Sequence, residues 1–327
     1  MSAVKWGIMS TAHINRLFLA GARDASGVEL AAVASRDRAR AEAYAREQGI
    51  ATAHGSYEAL LADPQVEAVY IPLPNSLHVE WTIRALQSGK HVLCEKPLSR
   101  RVADVERAFE VADHEQRLLM EAFMYRHHPQ TRRLIELIRE GAVGRVRMIR
   151  AAFGFVAGDP ANIRLSAALG GGALMDVGCY CVSAARLIAG EPERVSAEQA
   201  LGGDGVDVTF AATMRHRDDT ISHFDAGLAL ETRDLLEVVG DGGSLLLEDP
   251  WHCRNPLIQL RRGGDTEPIE IERANSYRLE AENFSAAIRG EATPLLGRDD
   301  AMGQARTIEA LYEAAETGRT ITIPEGP

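Results

Sequence analysis

The sequence predicts an α/β first half, in which a parallel sheet is wound with helices, and an α+β second half with an open, mostly antiparallel sheet. Three observations predict this. The 327 residues exceed the size at which one hydrophobic core usually stops growing. Short apolar runs alternate with helical patterns as far as residue 122, which is the signature of strands joined by helical crossovers. Beyond that point strand-like runs succeed one another, some separated by Gly-rich turns such as GDGG and RRGGD, as hairpins require. The expected domains are therefore 1–122 and 123–327.

In the first half, residues 4–9, 28–34, 66–71, 91–94 and 118–122 read as strands. Residues 12–23, 37–48, 76–88 and 102–115 read as helices, the third ending at Gly89, where a glycine commonly stops a helix. In such a sheet ligands bind beyond the carboxyl ends of the strands, here 7–12, 35–36, 72–78, 95–97 and 123–128. In the second half a helix over 129–140 leads to a strand over 145–155 and a helix over 172–188. Strand-like runs follow at 194–200, 207–215, 220–230, 235–239, 244–248, 257–261 and 268–272. Helices over 278–289 and 299–316 close the chain.

Composition narrows the function classes. A net charge of −11 argues against a nucleic-acid partner, which needs clustered positive charge, and against an anionic membrane surface. No stretch reads as the ~20 apolar residues of a membrane span, and MSAVKWGIMS lacks a signal-peptide pattern. Cys94, Cys179, Cys181 and Cys253 have no metal-type spacing and make no disulfide framework. A cytoplasmic protein with reduced thiols and no metal is the expectation. The basic residues are almost all arginine; Lys5, Lys90 and Lys96 are the only lysines. A lysine kept against that background draws interest, because only an ammonium is a compact point charge with an adjustable pKa.

Chemistry-bearing residues gather at the strand ends. The first loop reads Gly7-Ile8-Met9-Ser10-Thr11-Ala12. A dinucleotide loop usually reads GxGxxG, so Met9 and Ala12 replace two glycines, while Ser10, Thr11 and the following helix offer donors to phosphate. The second strand ends in Ser35-Arg36, with Arg38 and Arg40 beyond. An NAD enzyme usually places Asp or Glu there to hold the ribose hydroxyl; Arg instead pairs with a 2′-phosphate, so NADP is expected over NAD. Pro72, Leu73, Asn75 and His78 lie in the loop after the third strand, where Asn75 or Ser76 also suits a helix cap. Glu95-Lys96-Pro97 ends the fourth. Finally, Gly170-Gly171-Gly172-Ala173-Leu174-Met175-Asp176-Val177-Gly178-Cys179-Tyr180 reads as helical, which places Asp176 and Tyr180 on one face. Burying either polar group alone is costly. Taken singly, each of these motifs also fits a plain structural role.

In combination they resemble the glucose–fructose oxidoreductase / inositol dehydrogenase (Gfo/Idh/MocA) family over nearly the whole chain: the nucleotide loop, EKP, EAFMYRHHP, and GGGALMDVGCY. Tyr180, where many members have His, is similar to the subgroup holding NADP-dependent D-xylose dehydrogenases, dimeric dihydrodiol dehydrogenases and glucose–fructose oxidoreductase; WGIMSTA makes Met9 a trait of that subgroup. His127 departs from it, Phe being expected. The resemblance implies a Rossmann NADP-binding domain and a substrate-binding, oligomerising second domain. It implies hydride transfer between the nicotinamide and a hydroxyl or carbonyl carbon of a sugar or related diol. Lys96, Tyr180 and Asp176 would be catalytic and touch substrate, with Tyr277 a further substrate contact. Gly7, Met9, Ser10, Thr11, Ala12, Ser35, Arg36, Arg40, Pro72, Leu73, Asn75, His78, Glu95, Lys96 and Arg164 would lie near the cofactor. A homodimer or homotetramer is implied. A trans-dihydrodiol dehydrogenase, a redox-assisted glycosidase and a non-catalytic NADP sensor are the alternatives.

Overall fold

The computed structural model describes residues 2–324. In chain order the elements are β1 Val4–Met9, α1 Asn15–Arg23, β2 Val28–Ala34, α2 Arg38–Gln48, β3 Thr52–His54, α3 Tyr57–Leu61, β4 Ala68–Ile71, α4 His78–Gln87, β5 His91–Cys94, α5 Val102–His114, β6 Leu119–Glu121, α6 Pro129–Arg139 and β7 Val146–Val156. A π-helical turn over Leu174–Gly178 then leads into α7 Cys179–Ala189. The rest are β8 Pro192–Leu201, β9 Asp207–His216, β10 Ile221–Gly227, β11 Ala229–Gly240, β12 Ser244–Leu247, β13 Leu257–Arg262, β14 Asp265–Glu270, α8 Ser276–Ile288, α9 Arg298–Thr317 and β15 Ile321–Thr322.

The chain forms two compact units. Of the described residues, the first holds 2–99, 103–127 and 275–302. Its six strands run in the order β3-β2-β1-β4-β5-β6, every pair parallel. The order reverses between β1 and β4, and a crevice opens at such a switch point. The strands are short continuous apolar runs because helices cover both faces of a parallel sheet. Trp6, Phe18, Tyr70 and Phe284 centre the core, Phe18 stacking on Tyr70 with centroids 3.9 Å apart. The segment 275–302, assigned from the sequence to the second domain, packs in this unit. Gly21 makes that possible: a Cβ there would lie 2.5 Å from the Arg278 nitrogen, so α1 and α8 meet only because α1 has a glycine at the contact.

The second unit holds, of the described residues, 100–102, 128–274 and 303–324. Its nine-stranded sheet has the order β14-β13-β12-β11-β7-β10-β9-β8-β15. Neighbours are antiparallel apart from β10 with β7. The central helix packs on this sheet, and Gly178 allows it, since a Cβ there would sit 3.2 Å from the Ala226 Cβ on β10. Residues 167–189 are, contrary to the sequence expectation, long and apolar enough to span a membrane, but 78% of their apolar 18-residue stretch is buried inside the protein, as befits a core helix. The outward positions of the sheet are polar. They carry His223, Thr213, Ser196 and the cross-strand ion pairs Arg150–Glu237 and Arg233–Asp225.

Candidate active site

The nucleotide loop follows β1. Met9 is 0% exposed, so its side chain enters the core and leaves the loop surface clear. Gly7 is needed for packing, because a Cβ would meet Val66 at 2.9 Å and Leu60 at 3.0 Å. Ser10 adopts φ 131°, a conformation costly for a residue with a Cβ and held only by its surroundings. Asn15 provides the hold: its Nδ2 donates to the Ser10 carbonyl at 2.8 Å, while the Ala12 amide donates to Ser10 Oγ at 3.2 Å.

At the end of β2, Ser35 Oγ accepts the Asp37 amide at 3.3 Å, and Asp37 caps α2 by accepting the Arg40 amide at 2.8 Å. Asp37 is thus engaged as a cap. Arg38 pairs with Glu42 at 2.9 Å. Arg36 and Arg40 instead act on Tyr57, whose hydroxyl pKa burial raises while both guanidinium groups, one of them hydrogen-bonded to it, pull it down. Tyr57 lies on α3, an element the sequence reading passed over.

The three lysines take three roles. Lys5 Nζ donates to exposed Gln65 at 2.7 Å. Lys90 is buried and donates to the carbonyls of Asp63 and Val66 at 2.7 and 2.8 Å. Lys96 stands half-buried at the end of β5, in a cis peptide with Pro97. Its neighbour Glu95 accepts a hydrogen bond from the Tyr70 hydroxyl. Tyr277, on α8 in this same unit, lies near Glu95 and Glu280, and burial with those two carboxyls raises its hydroxyl pKa well above the ordinary value. His78, expected near the cofactor, is fully buried, with Nδ1 2.9 Å from the Pro97 carbonyl and Nε2 2.8 Å from the Leu73 carbonyl. Burial, chiefly, lowers its pKa, and a neutral imidazole has one N–H. The ring therefore donates to one carbonyl and abuts the other, tying the loop after β4 to the loop after β5. Leu73 and Pro72 are buried on that loop, and Asn75 opens a short 3₁₀ turn. His127 is buried in another, over Met124–His127.

In the second unit Arg164 pairs with Asp176, and Tyr180 follows Asp176 by four residues at the start of α7. Asp176 sits in the π turn, a rare geometry frequent at functional sites, where the sequence suggested regular α-helix. Arg164 Nε donates to Asp176 Oδ2 at 2.7 Å, and the Gly172 amide donates to the Arg164 carbonyl at 2.9 Å. The glycine run permits this, since a Cβ at Gly171 would lie 2.3 Å from that carbonyl oxygen. Tyr180 is 7% exposed and walled by aromatics. Phe153 meets it edge-on with centroids 5.3 Å apart, and Trp251 lies at 5.9 Å. Trp251 is fixed by its Nε1 donating to the Ala152 carbonyl at 3.0 Å. His252 stands edge-on to Phe153 at 5.4 Å and hydrogen-bonds Asp234 at 3.0 Å. None of Phe153, Trp251, His252 or Asp234 was singled out from the sequence.

Comparison with known proteins agrees with this geometry. Residues 4–123 match the oxidoreductase family with NAD-binding Rossmann fold, and residues 131–246 match the GFO/IDH/MocA C-terminal domain. The chain belongs to the Gfo/Idh/MocA oxidoreductase family. It is 39% identical to a D-xylose 1-dehydrogenase (NADP(+)) of Haloferax volcanii over 97% of this chain and 99% of that protein. It is 30% identical to a trans-1,2-dihydrobenzene-1,2-diol dehydrogenase of Danio rerio, covering 88% of each. Among solved structures it resembles the 3-ketoreductase KijD10 of Actinomadura kijaniata in complex with NADP and TDP-benzene. There the TM-score is 0.91 and the identity 31%, over 96% of this chain and 98% of that one.

Proposed function

We propose that this member of the family catalyses NADP-dependent hydride transfer at a hydroxyl-bearing carbon of a sugar or related diol. The observation that carries the reading is the retention of Lys96 at a strand end and of Tyr180 with Asp176 at the head of a buried helix, in a chain of an oxidoreductase family. The cofactor fits the residues present. Arg36 and Arg40 suit a 2′-phosphate, as the NADP-dependent xylose dehydrogenase relative supports, and the loop after β1 suits the pyrophosphate. Gly7, Met9, Ser35 and Pro72 shape the backbone near it, with Thr11, Leu73, Asn75 and Glu95 beside it.

NADP, when bound, would supply the hydride acceptor. Tyr180 Oη takes the proton of the substrate hydroxyl as the C–H bond breaks and the carbonyl forms, and the proton then leaves to solvent. A free phenol has a pKa near ~10 and is a poor base at neutral pH; the Lys96 ammonium favours the phenolate and a developing alkoxide. Asp176 would orient the substrate hydroxyl, and Arg164 holds Asp176 in place; Arg164 is proposed to be one of the residues near the cofactor. Tyr277 is proposed to touch substrate. A second reading, oxidation of a cyclic trans-diol, draws on the aromatic wall of Phe153, Trp251 and Tyr180, which suits a flat apolar ring. Absorbance at about 340 nm, the usual reporter of reduced nicotinamide, with D-xylose, D-glucose and a trans-dihydrodiol separates the two. No NADPH from any of them overturns both, and cleavage of a glycoside without net NADPH points to redox-assisted hydrolysis.

We also propose that copies associate through the open sheet face as dimers or tetramers; light scattering that returns a monomer at working concentration overturns this. The free, buried cysteines suit a reducing compartment, the cytoplasm.

A further inference from the structure

The turn that opens the central helix of the second unit is held by a residue to which the motifs and the mechanism give no role. Asp207 is the first residue of β9 and is 2% exposed. Its Oδ2 accepts the Leu174 amide at 2.7 Å, and its Oδ1 accepts the Tyr312 hydroxyl at 3.0 Å. Gly172, at φ +127°, leaves the necessary room, since a Cβ there would come within 2.2 Å of Asp207 Oδ1. The first amides of a helix have no acceptor within it. Usually the capping residue's own side chain accepts one of them. Here the residue before the π turn is Ala173, which makes no such bond, and Asp207 supplies the acceptor from 33 residues further along the chain. A negative charge at that end also complements the helix dipole. Tyr312 is held in turn, the Arg100 guanidinium lying 4.6 Å from its ring centroid.

We propose that Asp207 is a positioning residue for the active site: it anchors the start of the π turn and so sets where Asp176 and Tyr180 point. The inference rests on the reading of Tyr180 as the proton acceptor. Leu174, which receives the anchor, begins the turn that contains Asp176 and runs directly into the helix bearing Tyr180. Burial pushes the Asp207 carboxyl up to about 6, so keeping it charged at neutral pH works against stability.

The test uses the full chain with three variants at the anchor, Asp207→Ala, Asp207→Asn and Tyr312→Phe, and Tyr180→Phe as the control. Hydrogen exchange followed by mass spectrometry reads the segment 172–180 with NADP bound, and NADP with D-xylose reads turnover. Asp207→Ala should speed exchange in that segment and lower kcat by about 10–100-fold, because a misplacement near 1 Å costs on this order, with the KM for NADP unchanged. Asp207→Asn keeps an oxygen for the Leu174 amide and should recover kcat to within about threefold of the parent. Tyr312→Phe should fall between the two. Unchanged exchange in Asp207→Ala overturns the anchor even if that variant is less stable. Unchanged kcat in Asp207→Ala, with Tyr180→Phe inactive, overturns the positioning role alone. An active Tyr180→Phe overturns the reading of Tyr180 itself, and the exchange result then still decides whether Asp207 holds the turn. Should Asp207→Ala fail to fold, the other two variants decide: a large loss of kcat in a well-folded Asp207→Asn whose exchange in 172–180 matches the parent, or unchanged exchange and kcat in Tyr312→Phe, would refute the assignment.

Discussion

Arg164 is fastened to the head of the central helix at two points: its carbonyl accepts the Gly172 amide at 2.9 Å and its Nε donates to Asp176 at 2.7 Å. The side chain that orients Asp176 is therefore itself oriented by the backbone. Neither residue should act independently of the other. Asp176→Asn and Arg164→Ala should each lower kcat/KM by about 10–100-fold, the range of a lost charged hydrogen bond. The double variant should lose little more than the worse single one, as coupled pairs do. Steady-state kinetics on all three variants checks this, and losses that simply multiply would separate the two residues.

Cofactor choice should rest on Arg36. Asp37 is engaged as a helix cap and Arg38 with Glu42, while Arg36 and Arg40 share Tyr57. Arg36→Ala should weaken NADP by about 10–100-fold and leave NAD affinity within about twofold. Tyr57→Phe should have a smaller effect in the same direction. Fluorescence titration with both cofactors measures it; an equal loss for NAD would assign Arg36 to some other part of the nucleotide.

Lys96 and Tyr180 should behave as one catalytic unit. Tyr180→Phe removes a single hydroxyl from an aromatic wall that Phe153 and Trp251 maintain, so fold and NADP affinity should persist while kcat falls about 10²–10⁴-fold. Lys96→Arg should fail as well, because a guanidinium spreads its charge over a larger plane. The combined variant should lose far less than the product of the two losses. Turnover near normal in Tyr180→Phe would remove it as the proton acceptor.

What the sequence made legible is the part with local spacing. Arg36 stands two residues after β2 and Lys96 two residues after β5, so finding the strands locates both. β3 and α3 are three and five residues long, too short to show a period, and Tyr57 was lost with them. The bonds of His78 go to backbone carbonyls of Leu73 and Pro97, acceptors that every residue offers and no sequence marks. Trp251 reads as a loop residue; its contact with Tyr180 joins positions 71 apart by their numbers. The π turn was likewise invisible, because its start is held by a carboxylate on another strand. The return of 275–302 to the first unit depends on a glycine contact between distant helices.

That carboxylate makes a stability prediction whose sign can be worked out. Asp207 is almost fully buried, and desolvation is the largest influence on it; the amides of Leu174 and Ala173 and the Tyr312 hydroxyl offset only part of the rise, leaving its pKa at about 6 against an ordinary 3.8. The ionisable groups around it are Tyr312, also buried and shifted upward, with Arg100 and Cys179 beyond. A carboxyl that binds its proton more tightly folded than unfolded favours the fold while protonated. That contribution is complete below about pH 4 and is lost as pH rises through about 6. Asp207→Asn removes the titration. At pH 4 the two proteins should be nearly equal in stability, and at pH 7.5 the variant should be the more stable by on the order of 2–3 kcal/mol. Urea unfolding of both proteins at a series of pH values between about 4 and 8 measures the difference, in which the other titrating groups cancel. A constant difference across that range would mean that Asp207 does not titrate there. A variant less stable at pH 7.5 would mean that the ionised hydrogen bonds to Leu174 and Tyr312 outweigh the burial of the charge.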